Sequence, residues 1–121
     1  MRHPREQILP LIRSIKKCLK DLGFIVIPYG SIIKDALIED IDLVIVSKFF
    51  RSITRMDERR RVILNCLPEG LIKEIKERGL YLDIWCYSPE ELRDLLTSKE
   101  FIKIILNHSI QLQGDHLGHR G

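Results

Sequence analysis

Apolar positions along the first stretch of the chain recur with a helical period. Ile8, Leu9, Leu11, Ile12, Ile15, Leu19 and Leu22 are spaced to form one face, which predicts an amphipathic helix. Pro10 is expected near the start of that helix or at a kink in it. Gly23 suits a left-handed C-terminal cap. Residues 24–29 and 41–46 are short apolar runs, the second rich in β-branched side chains, and both read as buried strands. Such strands need cover on both faces, either from helices on each side or from a helix layer and a partner chain. Residues 51–67 are helical in pattern, and Pro68-Glu69-Gly70 breaks them off. A short amphipathic stretch, 71–78, leads to a third strand at 80–87. Ser88-Pro89-Glu90-Glu91 then supplies a serine N-cap, a proline at the first helical position and a glutamate that closes a capping box. Thr97-Ser98-Lys99-Glu100 resembles a second such start, and residues 108–113 fit a short edge strand.

This order predicts an α/β (α+β) domain with a small mixed sheet of three to four strands packed with helices. The 121 residues amount to one domain over 1–113, followed by a flexible tail over 114–121. A content of 45% hydrophobic and 31% charged residues favours a folded chain. The net charge of +3 fits an anionic substrate but is too small to argue alone for nucleic acid as a partner. Cys18, Cys66 and Cys86 are an odd, widely spaced set, which fits buried thiols in a reduced compartment. The N-terminal stretch lacks the apolar core of a signal peptide, and no apolar run is long enough to span a bilayer. A cytoplasmic protein is the expectation. Economy of burial in so small a chain makes a homodimer plausible.

Three acids interrupt the apolar pattern. Asp40 and Asp42 open the second strand two residues apart, so their side chains share a face, with α-carbons about 6.6 Å apart. Asp83 lies inside the strand Tyr81-Leu82-Asp83-Ile84-Trp85, against the local pattern. If the two strands are neighbours, three hard oxygen ligands can converge, which favours magnesium or manganese over zinc. Each acid also has an ordinary reading. Asp40 and Asp42 fit a solvated strand start, and Asp83 fits an ion pair with a cation at the core edge.

Tyr29-Gly30-Ser31, an eight-residue spacer, and Asp40-Ile41-Asp42-Leu43-Val44-Ile45-Val46-Ser47 together resemble the glycine-serine and DxD signature of the nucleotidyltransferase superfamily that includes DNA polymerase beta. The segment from Leu82-Asp83-Ile84 to Leu92 is similar to the third-carboxylate strand and following helix of its small archaeal members. The resemblance implies the nucleotidyltransferase fold, with Asp40, Asp42 and Asp83 as catalytic residues and ligands of Mg2+ or Mn2+. It implies that Gly30 and Ser31 hold the triphosphate of ATP, with Lys34 able to touch a phosphate. The reaction implied is two-metal transfer of AMP to a hydroxyl acceptor. It also implies a HEPN-domain partner, because minimal members often work beside one; an alternative is an antitoxin or binding module that neutralises such a partner by contact. The chain departs from the pattern in its short spacer, in Lys34-Asp35 where many relatives have arginine-glycine, and in Glu39 where serine is common.

Other features have plainer explanations. Arg51, Arg55 and Arg59 recur every four residues, with Arg60 and Arg61 beside them; they suit steering of triphosphate or RNA, but the interleaved Asp57 and Glu58 fit a solvated helix face better. His108, His116 and His119 fit a tail rather than a metal cluster. Tyr29, Tyr81, Trp85 and Tyr87 offer either a base-stacking surface or, the plainer reading, sheet packing, with Tyr29 singled out by its place beside the glycine-serine turn.

Overall fold

A computed structural model describes residues 2–97. The expected edge strand, second capping-box helix, tail and histidines lie outside the described residues. The elements are β1 (His3–Pro4), α1 (Arg5–Lys20), β2 (Ile25–Tyr29), α2 (Ser31–Lys34), β3 (Leu37–Ile38), β4 (Asp40–Val46), a 3-10 turn (Lys48–Ser52), α3 (Met56–Cys66), α4 (Glu69–Glu77), β5 (Tyr81–Tyr87) and α5 (Pro89–Leu96).

The periodic apolar positions of α1 do what their spacing predicts: Ile8, Leu11, Ile12, Ile15 and Leu19 are buried. Pro10 sits on the exposed side of the second turn, inside the helix. Gly23 closes the helix at a φ of 86°, and the Phe24 amide reaches back to the Leu19 carbonyl at 2.9 Å.

The main sheet has the order β2-β4-β5, with β2 antiparallel and β5 parallel to the central β4. Ile41, Leu43 and Ile45 of β4 join Val26, Ile84 and Cys86 in the main core, under residues of α1, α3 and α4. The other face is different. Only Val44 and Val46 are buried there, packed with Ile27, Tyr29, Tyr87 and Leu92 of α5. Among the described residues, helices therefore cover one face fully and reach the second through Leu92. Ile25, Tyr81 and Trp85 stay open, at 62%, 66% and 38% exposure. Of the two forms of cover expected, helices on both sides or a helix layer with a partner chain, the described residues show a full helix layer on one face and only Leu92 of α5 on the other, whose remaining positions are acids and aromatics.

Two further corrections concern connections. The pattern over 51–67 is not one helix. Ser47 caps the 3-10 turn through its Oγ, residue 53 is extended, and α3 begins only at Met56. The three arginines thus do not share one helix face: Arg51 lies in the 3-10 turn, Arg55 is the extended residue before α3, and Arg59 lies within α3. Arg51 pairs with Glu90, and Arg55 pairs with Asp57. Arg59 is 5% exposed and donates to the carbonyls of Ile53, Phe50 and Cys86 and to Glu91 Oε1. Glu91 also completes the expected capping box with Ser88. The pairing of β1 with β3 was not foreseen; Arg5 fixes it by donating twice to the Asp35 carbonyl, at 3.1 and 2.7 Å.

The free edge of β5 is covered by α3. Arg59 and Arg60 donate to the carbonyls of Cys86 and Ile84, and the Cys86 amide meets Met56 Sδ. Arg59→Met keeps the apolar stem but strands buried acceptors, so it is expected to cost about 2–4 kcal/mol in urea unfolding. A loss below a few tenths would refute the role given to Arg59.

Candidate functional site

Strand alternation sends Asp40, Asp42, Val44 and Val46 to the second face. The register does the rest. Asp42 stands opposite Asp83 on one side and Tyr29 on the other, so Tyr29, Asp42 and Asp83 form one row across three strands. Neighbours in such a row have α-carbons about 4.8 Å apart. Asp40 lies opposite Tyr81. The next row inward is Ile27, Val44 and Trp85, and the third is Ile25, Val46 and Tyr87. One end of this face is acidic and the remainder apolar.

The carboxylates feel one another. Burial, then Asp83, then Asp40, push the Asp42 carboxyl from 3.8 up to about 6, and the Ser31 amide opposes them by donating to it. Tyr29 is raised well above the ordinary phenol value, first by burial and then by Asp42 and Asp83. No lysine or arginine among the described residues forms an ion pair with Asp40, Asp42 or Asp83. The three acids share a face without being gathered into a closed ligand set: among the described residues no three His, Cys, Asp or Glu side chains are drawn together in that way. Asp83 instead accepts from the Trp85 indole N–H, at 3.3 Å on Oδ2.

Gly30 brings the backbone against this cluster. Its φ of 73° is in the left-handed region, and a Cβ there would lie 2.5 Å from Asp42 Oδ2. Only glycine meets both demands. Ser31 begins the single turn α2, and its Oγ donates to the Asp40 carbonyl at 3.3 Å. Lys34 ends that turn and is exposed. A cleft of about 530 Å³ runs alongside, lined by Arg2, Ser31, Lys34, Asp35, Glu39 and Asp40 among others. It meets the cluster only through Ser31 and Asp40; Asp42 and Asp83 do not line it.

The structure thus brings Gly30, Ser31, Asp40, Asp42 and Asp83 to one end of the sheet, with Lys34 on the adjoining cleft. Arg2, Trp85 and Arg60 are neighbours that the sequence reading did not assign to a site. Period-two spacing from Asp83 already placed Trp85 on the acidic face. Nothing local marked Arg2, and Arg60 stands out in the sequence only as part of a basic stripe. The chain matches no known protein family, no curated protein and no solved structure.

Two measurements probe this geometry. Gly30→Ala is expected to lose at least about 1–2 kcal/mol, because alanine at this φ is strained and its methyl displaces Asp42; unchanged urea unfolding would contradict the close approach. The folded pKa of Asp42 lies above its ordinary value, so its contribution to stability is greatest below pH 3.8 and is lost as pH rises through about 6. Asp42→Asn is therefore expected to gain in Tm relative to the metal-free parent as pH is raised from 4 to 7. Parallel Tm curves across that window would contradict the repulsion.

Proposed function

We propose that this chain is a magnesium-dependent nucleotidyltransferase of the minimal kind found in the DNA polymerase beta superfamily. The observation that carries the reading is the register of Asp42 with Asp83, on the face that also holds Asp40 and beside the Gly30–Ser31 turn. The donor set fits the metal. It consists of carboxylate oxygens, and Asp42, raised first by burial and then by Asp83 and Asp40, has no cationic partner among the described residues. A hard divalent cation supplies that compensation.

In this reading Asp40, Asp42 and Asp83 hold Mg2+ or Mn2+. When bound, the metal neutralises triphosphate charge and favours the ionised acceptor hydroxyl. Gly30 forms the turn that offers its backbone to the triphosphate, and its missing side chain leaves room for Asp42 beside it. Ser31 turns its hydroxyl from the Asp40 carbonyl to a phosphate oxygen, and Lys34 and Arg2 supply positive charge along the cleft. The acceptor oxygen attacks the α-phosphorus in line. Its proton passes to Asp83, the bond from the α-phosphorus to the bridging oxygen breaks, and pyrophosphate leaves. The donor that the resemblance implies is ATP, which gives an AMP-modified hydroxyl.

A second reading is favoured by the charge of the cleft. Asp35, Glu39 and Asp40 line the same space as Arg2 and Lys34, which opposes a triphosphate. A fold of this kind with weak turnover fits a module that neutralises a HEPN-type partner by contact. Asp42→Asn separates the two.

Incubation with labelled ATP, Mg2+ and candidate acceptors is expected to release pyrophosphate, with Asp42→Asn lowering the rate at least about a hundredfold. Transfer that persists in the variant removes Asp42 from the chemistry. A variant that still binds and neutralises the partner favours the contact reading.

A further inference from the structure

Trp85 is the single tryptophan of the chain. It lies one row inward from Asp42 and Asp83 on the open face, paired with Val44. A half-exposed indole on an edge strand has room to change rotamer, yet this one is fixed from two sides. Its Nε1–H donates to Asp83 Oδ2 at 3.3 Å. Its ring carries the Arg60 guanidinium, with Cζ 4.6 Å from the ring centroid. Arg60 is itself anchored, because its Nε donates at 2.6 Å to the carbonyl of Ile84, the residue between Asp83 and Trp85. Arg60 thus starts on the helical layer, passes the free edge of β5 and presses the indole from the acidic side of the sheet.

Asp83 needs such a restraint. It is exposed, it lies on an edge strand, and its nearest charged neighbour in register is another carboxylate. Repulsion alone drives it toward solvent and away from Asp42. The indole N–H holds Oδ2, while Oδ1 accepts from no described residue and is left for a cation shared with Asp42. We infer that Trp85, backed by Arg60, is a positioning residue that holds the Asp83 carboxylate ready for a divalent cation. The inference rests on the metal-binding role proposed above for Asp83. It differs from base stacking in what it uses, the indole N–H toward Asp83 and the ring under Arg60.

Mn2+ alone is the probe, titrated into the full chain and followed by the electron-spin-resonance signal of the free ion. Quenching of Trp85 fluorescence gives a second readout in variants that keep the indole. Trp85→Phe retains an aromatic ring under Arg60 and removes the N–H together with the smaller ring that bears it. It is expected to weaken Mn2+ binding about tenfold, and to lower kcat with the KM for ATP unchanged. Arg60→Lys keeps a charge and loses the planar stack; it is expected to weaken binding about threefold, and it serves if Trp85→Phe does not fold. Asp83→Asn sets the scale. If Asp83→Asn weakens binding while Trp85→Phe and Arg60→Lys bind as the parent does, the positioning role is overturned and the metal site stands. If Asp83→Asn also binds Mn2+ as the parent does, the metal site fails and the positioning role fails with it.

Discussion

Asp42 and Asp83 carry like charges on adjacent parallel strands, directly in register, and the acidic end of the sheet is organised around that repulsion. Two carboxylates about 5 Å apart repel by roughly 3 kcal/mol at an effective dielectric near 20, before solvent screening reduces it. Among the described residues the Ser31 amide donates to Asp42, and the Trp85 indole to Asp83. Bonds of that kind are worth about 1 kcal/mol each, so they orient the carboxylates more than they offset the repulsion. A divalent cation offsets it directly. Hence the same arrangement that destabilises the metal-free protein supports a metal-dependent reading of its function.

The register itself depends on α3. β5 is an edge strand; its alternation, which buries Ile84 and Cys86 and exposes Asp83 and Trp85, sets which face meets the core, and α3 grips its outer edge. Arg59 and Arg60 are consecutive, and both donate to outward-facing carbonyls of that edge. Arg59 stays on the helical side, where it ties the 3-10 turn, the end of β5 and the cap of α5 together through five oxygen and ring contacts at most. Arg60 continues past the edge to Trp85. Two neighbouring residues of one type thus connect the core to the acidic face. The cost of burying Arg59 is met by three carbonyls and the Glu91 carboxylate, and this is why part of a basic stripe in the sequence became an internal clamp.

Gly30 joins these two parts of the structure. Its positive φ turns the chain from β2 into α2, and the missing side chain leaves space for Asp42. The turn therefore cannot be altered without disturbing the cluster. The β1–β3 ribbon holds the other end of the same connection through Arg5 and brings Arg2 to the cleft beside Ser31 and Lys34.

The sequence by itself determined the local elements: the apolar face of α1, the glycine that ends it, three strands in their places and the capping box at Ser88, because each rests on contacts within a few residues. It also put Asp40 and Asp42 on one face, since alternation is a property of a single strand. It failed where distance along the chain intervenes. A solvated arginine stripe and a buried clamp look alike until Phe50, Cys86 and Glu91 surround Arg59. Likewise the apolar run in β4 says that the strand is central, not that helices cover both sides. Whether Asp83 meets Asp42 was decided only by tertiary structure. The crossover between β4 and β5 passes through α3 and α4, and a slip of one residue in the pairing would turn Asp83 to the helical face.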